Sequence, residues 1–201
     1  MKRHTVFHLG LALALLAFFV GCYSPPLAPP PPEIVRTDKN PEFDSVREDL
    51  VDIVVLSARP PEGNPQKDGP HLRRFRRLVY EGLIRKGYSP FKFSFTDQIT
   101  AGAPSEERFD PAHNINRYDE DAVMVLSLNE WDVKYRKKGA ILVSATLSLI
   151  RSKTNTKLWM HEIRHRLYKI PLTADDVSLT INEVVMDLVV KDLLEKLPSR
   201  A

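Results

Sequence analysis

One short motif has the residue types and spacing of a catalytic metal centre: His161-Glu162-Ile163-Arg164-His165 spells H-E-x-x-H. In zinc proteases this spacing places both histidines on one face of a helix, with the glutamate as general base. Histidines four residues apart are separated by about 6 Å on a helix but by about 13 Å on a strand. Zinc chemistry at His161, Glu162 and His165 therefore requires a helix.

The surroundings of the motif favour a strand. The residues that would share one strand face include both histidines: Trp159, His161, Ile163, His165 and Leu167. A short turn over residues 153–157 follows an alternating strand, which is typical of a hairpin. No third ligand is evident: His71 and His113 lie upstream, and the acidic residues after His165 fall in the capping turn and last helix without a motif around them. We expect no metal site, and two histidines on a partly exposed strand face; a zinc-dependent hydrolase remains the alternative.

Four arginines interleave with apolar residues in a second segment: Arg73, Arg74, Arg76 and Arg77. On a helix, Arg73, Arg74 and Arg77 lie opposite the apolar stripe, and Arg77 can pair with Glu81 at i+4. We expect a solvated helix face; the alternative is contact with anionic envelope material such as lipid headgroups or glycan polymers.

An acidic run, Asp119-Glu120-Asp121, precedes an apolar segment. Paired carboxylates can perform acid–base catalysis, but a solvated turn before a strand is the commoner role. The sequence has no Gly-rich phosphate loop and no G-x-S-x-G motif, and it contains one cysteine. We therefore expect no catalytic residue, no cofactor and no small-molecule substrate.

The first 21 residues have the organisation of a secretory signal peptide. Lys2 and Arg3 precede an apolar run of about 12 residues, whereas a membrane-spanning helix needs ~20. Phe19-Val20-Gly21-Cys22 resembles the lipobox of bacterial lipoproteins. The resemblance implies that the Cys22 thiol is acylated and that Cys22 becomes the first mature residue. Tyr23 after this cysteine, rather than Asp, is what outer-membrane lipoproteins of this kind usually show.

The rest of the chain divides into a linker and one domain. Residues 22–43 contain six prolines between positions 25 and 32, and such a run favours an extended polyproline spacer. Residues 44–201 are long enough for one globular domain. The formal charge of the full chain is +3; Lys2 and Arg3 leave with the leader, so charge gives no argument for nucleic-acid binding.

The predicted elements of the domain indicate an α/β (α+β) fold. Apolar patterning predicts strands over residues 51–58, 88–95, 122–133, 140–151 and 158–170, and helices over residues 70–86 and 173–197. Residues 96–120 read as a polar loop with a short helix at residues 114–118. Thr173 and Asp176 could cap the last helix. The result is a mixed sheet of about five strands in the order β-α-β-loop-β-β-β-α, with packing helices and a parallel pair flanking the first helix.

The core and the last helix follow from the same pattern. We expect Val54, Leu126, Leu147 and Trp159 to be buried. The last helix has two apolar stripes, one over Val177, Ile181, Val184, Val185 and Leu188, the other over Met186, Val189, Val190, Leu193 and Leu197. A helix apolar on two sides is buried on two sides. We favour burial within the domain over docking of a partner.

The strand from Asp121, ending at Trp131, and the later Lys157-Leu158-Trp159 resemble envelope lipoproteins with a TolB-amino-terminal-like or CsgG-like fold, closest to a neisserial family of lipoproteins. Asn155 stands where those proteins have a turn glycine, and Asn tolerates the left-handed conformation. The resemblance implies a membrane-anchored, non-enzymatic binding or assembly module that faces the periplasm, with an envelope protein or a second copy as partner. An auxiliary lipoprotein of a lipid-transport system is a further alternative.

Overall fold

The computed structural model describes residues 27–60, 70–100, 111–169 and 179–200. The chain divides into two compact units, Met1–Pro30 and Pro31–Ala201, and every element below belongs to the second. Among the described residues, no helix has the length and apolar character needed to cross a membrane.

Six strands and five α-helices form the described part of this unit. The strands are β1 (Ile34–Lys39), β2 (Asp52–Val55), β3 (Ser89–Pro90), β4 (Ala122–Asp132), β5 (Ala140–Arg151) and β6 (Thr156–Lys169). The helices are α1 (Glu42–Val46), α2 (Pro70–Arg85), α3 (Phe93–Thr100), α4 (Pro111–Asn114) and α5 (Leu179–Glu195). Two short 3-10 helices, Arg47–Asp49 and Val133–Lys138, connect them.

The strands form one mixed sheet in the order β1-β6-β5-β4-β2-β3. β2 is parallel to both β3 and β4, and the remaining pairs are antiparallel. The predicted α/β fold with a mixed sheet is confirmed, including the parallel pair around α2. Asn155 takes the left-handed conformation in the β5–β6 turn, with φ 52°.

The sheet has one strand more than predicted, because β1 lies inside the segment expected to be a linker. Ile34–Lys39 pairs with β6 along its whole length, and Phe43 of α1 is completely buried. The folded unit therefore begins near residue 31, which corrects the boundary placed at residue 44. An edge strand needs backbone partners more than an apolar face, so its own sequence carries little signal.

The strand predicted over residues 88–95 is wrong beyond Pro90. The last bond to β2 is donated by the Phe91 N–H to the Ile53 carbonyl at 2.9 Å, and the chain turns into α3 at Phe93. Phe91 and Phe95 stack with ring centroids 5.7 Å apart, whereas Phe93 packs against Tyr80 at 4.9 Å. The three phenylalanines therefore do not share one dry strand face. Residues 111–114 form α4, which lies just before the short helix expected at residues 114–118.

The main core lies between the sheet and helices α2 and α5. The predicted burial of Val54, Leu126, Leu147 and Trp159 is confirmed, with each side chain at most 1 % exposed. Six apolar residues of α5 are buried in this core, whereas Val184 is 36% exposed and Leu188 only partly buried; the buried residues are Val185, Met186, Val189, Val190, Leu193 and Leu194. Burial is thus confirmed for the stripe from Met186 to Leu197, but the described part of the other stripe is buried only at Val185, with Val184 exposed. Val177, the Ile181 side chain and the expected Thr173–Asp176 cap lie outside the described residues.

Candidate functional site

The H-E-x-x-H motif lies in the middle of β6, so its backbone is extended rather than helical. Its first histidine points toward the helix-covered core. His161 is 2 % exposed, its ring stacks beside that of Trp159 at 6.2 Å, and its Nδ1 lies 2.7 Å from the Thr37 hydroxyl of β1. Burial lowers the pKa of His161, and the nearby cations Arg166 and Lys196 act in the same direction. This histidine is a neutral core residue, which corrects the expectation of a partly exposed one.

A β-bulge separates the second histidine from the first. The β5–β6 register shifts between Val143 and Ala145, and His165 adopts a left-handed conformation with φ 54°. Its backbone N–H donates to the Ser144 hydroxyl at 2.9 Å. A bulge changes which sheet face the following residues occupy. The structure therefore corrects the expectation that His161 and His165 share a face: His161 lies in the core, and His165 lines a groove on the other face.

That groove is polar. Its volume is about 560 Å³, and it is lined by Asn129, Glu130, Ser144, Glu162, Arg164 and His165. The Arg164 Nε donates to Glu162 at 2.7 Å, and the Ser144 hydroxyl donates to Glu130 at 2.7 Å. His165 Nε2 lies 3.9 Å from the same Glu130 carboxylate. The groove thus brings together a carboxylate from β4, the Ser144 hydroxyl from β5, and a carboxylate, a guanidinium and an imidazole from β6.

The groove lacks the arrangement that activates a nucleophile. A catalytic serine donates its hydroxyl proton to an imidazole nitrogen, whereas Ser144 donates to Glu130 and accepts from a backbone N–H. Among the described residues, no three His, Cys, Asp or Glu side chains gather in a way that could hold a metal ion. The lining groups offer hydrogen bonds and charge to a polar ligand. Glu130, Ser144 and Arg164 were missed in the sequence; the alternation of Ser144, Thr146 and Ser148 along β5 was the available signal.

The acidic run before β4 has a structural role. Glu120 is 4 % exposed and accepts hydrogen bonds from the Asn116 and Tyr118 amides, at 2.6 and 3.0 Å, and from the Ser152 hydroxyl, at 2.6 Å. Asp121 accepts from the backbone amides of residues 51 and 52 at the start of β2, both at 2.9 Å. Only Asp119 is exposed. The expectation of a solvated turn is therefore wrong for Glu120, because its carboxylate ties the loop to the β5–β6 turn.

The arginines of α2 are largely engaged by protein groups. Arg77 pairs with Glu81 at 2.8 Å, as predicted, and Arg74 lies 3.3 Å from Asp187 of α5. Arg76 is buried: its guanidinium donates to the carbonyl of residue 55 at 2.8 Å and to the Thr96 hydroxyl at 2.7 Å, and it pairs with Asp97. It also lies 4.4 Å from the centre of the Phe93 ring. Arg73 remains exposed. These contacts indicate a role in packing α2 against its neighbours.

A second charged cluster links β6 to α5. Arg166 contacts Asp192 at 2.6 Å and Glu33 at 2.6 Å, and the Tyr168 hydroxyl donates to Asp192 at 3.0 Å. Burial and the Asp192 charge raise the pKa of Tyr168. The cluster fastens the last helix and the segment before β1 to the same strand.

No protein-family model and no curated protein matches this sequence. Solved structures do match its fold. A PelC dodecamer from Paraburkholderia phytofirmans is 13% identical, with a TM-score of 0.52 that covers 85% of this chain and 100% of that chain. A variant of the same PelC in another crystal form gives 14% identity and a TM-score of 0.51 over 84% of this chain and 100% of that one.

A third similar structure is the lipoprotein GNA1162 from Neisseria meningitidis. It is 15% identical, with a TM-score of 0.48 over 73% of this chain and 99% of that chain. At these identities the PelC structures show a shared fold. The TolB-like and CsgG-like resemblance stays a prediction.

Proposed function

We propose that this protein is a lipoprotein of the bacterial envelope, anchored in the outer membrane through acylated Cys22, that acts in the periplasm as a non-enzymatic assembly module by associating with copies of itself. The signal peptide would be residues 1–21, and the prolines that follow would separate the folded unit from the membrane surface. The membrane is the first partner, and a second copy of the chain is the second.

The likeness to PelC carries the proposal of self-association. Every part of the PelC chain has a counterpart here, and PelC is a dodecamer. A shared fold does not by itself transfer a function. The non-enzymatic part of the proposal has separate support, because the polar groups that could act in catalysis hold the fold together. Glu120 and Asp121 bind backbone amides, and Ser144 closes a bulge.

Among the described residues, neither alternative function has matching geometry. A zinc hydrolase needs three protein ligands around the metal, and the two motif histidines lie on opposite faces of the sheet. An auxiliary lipoprotein of lipid transport needs an apolar groove for acyl chains. The groove beside His165 is instead lined by charged and hydrogen-bonding side chains.

Two measurements test the proposal. Cys22→Ser should leave the protein unprocessed or release it from the membrane fraction, and a serine variant that is still processed and membrane-bound would contradict the anchor. Detergent-solubilised full-length protein should have a mass of two or more chains by light scattering after size exclusion. A single-chain mass at tens of micromolar would contradict self-association.

A further inference from the structure

The two edges of the described sheet differ in how they are protected. β3 is two residues long and ends in Pro90, so short length and a missing N–H block further pairing at that edge. β1 has six residues and no proline. Ile34 and Val35 are 47% and 46% exposed. Within the described residues, the β1 edge thus lacks both the short length and the proline that block the other edge, and a long edge strand can pair with another strand.

The hydrogen-bond pattern identifies the backbone groups that β1 leaves free. The Asn40 N–H donates to the Leu158 carbonyl at 2.8 Å, in register with the β1–β6 ladder. In an antiparallel pair, hydrogen-bonded and non-hydrogen-bonded positions alternate. The even-numbered residues of β1 therefore bond to β6. Val35, Thr37 and Lys39 direct their N–H and C=O groups outward from the sheet.

We propose that β1 pairs antiparallel with β1 of a second copy, with Thr37 on the two-fold axis. The inference rests on the proposed self-association and names the surface that forms it. In this register Thr37 faces Thr37 of the second copy, and Val35 faces Lys39, so all outward backbone groups of Val35, Thr37 and Lys39 are paired. The interface is isologous, because each copy contributes the same strand.

Charge selects this register. It places Arg36 of each copy directly opposite Asp38 of the other, on the same face of the joined sheet. Opposite charges facing each other across strands are stabilising, and like charges are destabilising. A shift by two residues in one direction would set Arg36 against Arg36, and in the other direction Asp38 against Asp38. Within one chain, Arg36 and Asp38 already pair at 2.7 Å with both side chains substantially exposed, so both are available at the edge.

The exposed apolar side chain of Val35 is also covered in this register. Val35 lies opposite Lys39, whose methylene stem can cover an apolar neighbour while its ammonium group stays in water. The joined sheet would have twelve strands, twice the six of one copy.

Complementary charge reversals provide the sharpest test, with full-length protein in detergent. Arg36→Asp gives strands with two acids, and Asp38→Arg gives strands with two bases. Each variant alone should dimerise about tenfold more weakly than wild type, because two favourable cross-strand pairs become unfavourable. An equal mixture of the two should restore dimers, since every acid then faces a base. The double variant Arg36→Asp/Asp38→Arg should also dimerise like wild type.

Disulfide trapping tests the register. Antiparallel hydrogen-bonded partners have Cα atoms about 5.5 Å apart, which suits a disulfide. Thr37→Cys should crosslink two copies on oxidation. Val35→Cys is the matched control, because two copies of this residue would lie about 13 Å apart. Wild type, which contains one cysteine at position 22, shows whether that thiol contributes.

The outcomes separate this inference from the proposed self-association. If wild type is oligomeric and both charge variants keep the wild-type dissociation constant, self-association stands and the β1 interface is wrong. Crosslinking through Val35→Cys but not Thr37→Cys overturns the register. If purified wild type is monomeric, both proposals fail. A Thr37→Cys adduct to a different envelope protein in whole cells, without a crosslinked dimer, would assign the edge to that partner instead.

Discussion

Removal of the Glu120 carboxylate tests whether the acidic run before β4 is structural or catalytic. Its two oxygens accept hydrogen bonds from the amides of Asn116 and Tyr118 and from the Ser152 hydroxyl. A buried donor that loses its partner costs about 1–3 kcal/mol. The Tyr118 and Ser152 donors are buried, and the Asn116 amide is only partly so. Glu120→Ala should therefore lower the free energy of unfolding by about 2–5 kcal/mol, a large part of the ~5–15 kcal/mol typical of a domain.

A series of variants at positions 119 and 120 tests whether the lost hydrogen bonds cause the loss of stability. Glu120→Gln keeps one oxygen acceptor and sets an amide NH₂ against a backbone N–H, so a loss of about 1–3 kcal/mol is expected. Asp119→Asn is the matched control. Asp119 is exposed with φ 58°, and Asn tolerates that conformation. The control should change the unfolding free energy by less than about 0.5 kcal/mol.

Urea denaturation followed by far-ultraviolet circular dichroism measures the three variants. Equal m-values across the series are required for the comparison, because m reports the surface exposed on unfolding. Acids at an active site are often unfavourable for stability, so their removal is neutral or stabilising. A Glu120→Ala variant as stable as wild type would refute the structural role and restore acid–base chemistry as a hypothesis.

The remaining predictions concern β6. Trp159→Ala should lower the free energy of unfolding by about 3–5 kcal/mol. In a Trp131→Phe variant, a fluorescence emission spectrum of Trp159 typical of full solvent exposure would contradict its burial. The fold lowers the pKa of His161 from 6.5, so the protein should keep its full stability above about pH 6.5 and lose stability as the pH decreases, by at most about 1.4 kcal/mol per pH unit. This dependence of stability on pH should become weaker in His161→Gln. An unchanged dependence would show that other groups cause it. Elemental analysis should find no stoichiometric zinc, and zinc near one per chain that disappears in His161→Ala would revive the hydrolase.

The long elements of this fold could be predicted from the sequence because their apolar patterns are long. β5 was predicted within its observed bounds, and α2 and β4 differ from prediction by one residue at one end. The alternation of Phe91, Phe93 and Phe95 is too short to separate a strand from a helical turn. The contacts of the Phe93 ring with Tyr80 and Arg76 favour α3. The local apolar pattern was therefore insufficient to predict the secondary structure of residues 91–95, which depends on contacts with distant parts of the chain.

The candidate groove was hidden for a different reason. Side chains alternate between the two faces of a regular strand, which would place His161 and His165 of β6 on the same face. Only a bulge changes this alternation. The bulge depends on a hydrogen bond from the His165 amide to Ser144, a residue 21 positions away. His165 also takes a left-handed conformation that is uncommon for residues other than glycine, asparagine and aspartate. The sequence therefore identified the motif but not the faces on which its members lie.

The position of β1 has a mechanical consequence. A chain tethered by its N-terminal end transmits tension into the fold at this strand first. Pro31 and Pro32 come just before it, and proline favours extended backbone both in itself and in the residue that precedes it. Tension that enters in line with the strand shears all six β1–β6 residue pairs together, whereas tension across the strand would separate them one by one. The Arg166–Glu33 ion pair adds a further attachment at the pulled end. With the proposed anchor at Cys22, this end of the fold would thus resist pulling along the axis of β1.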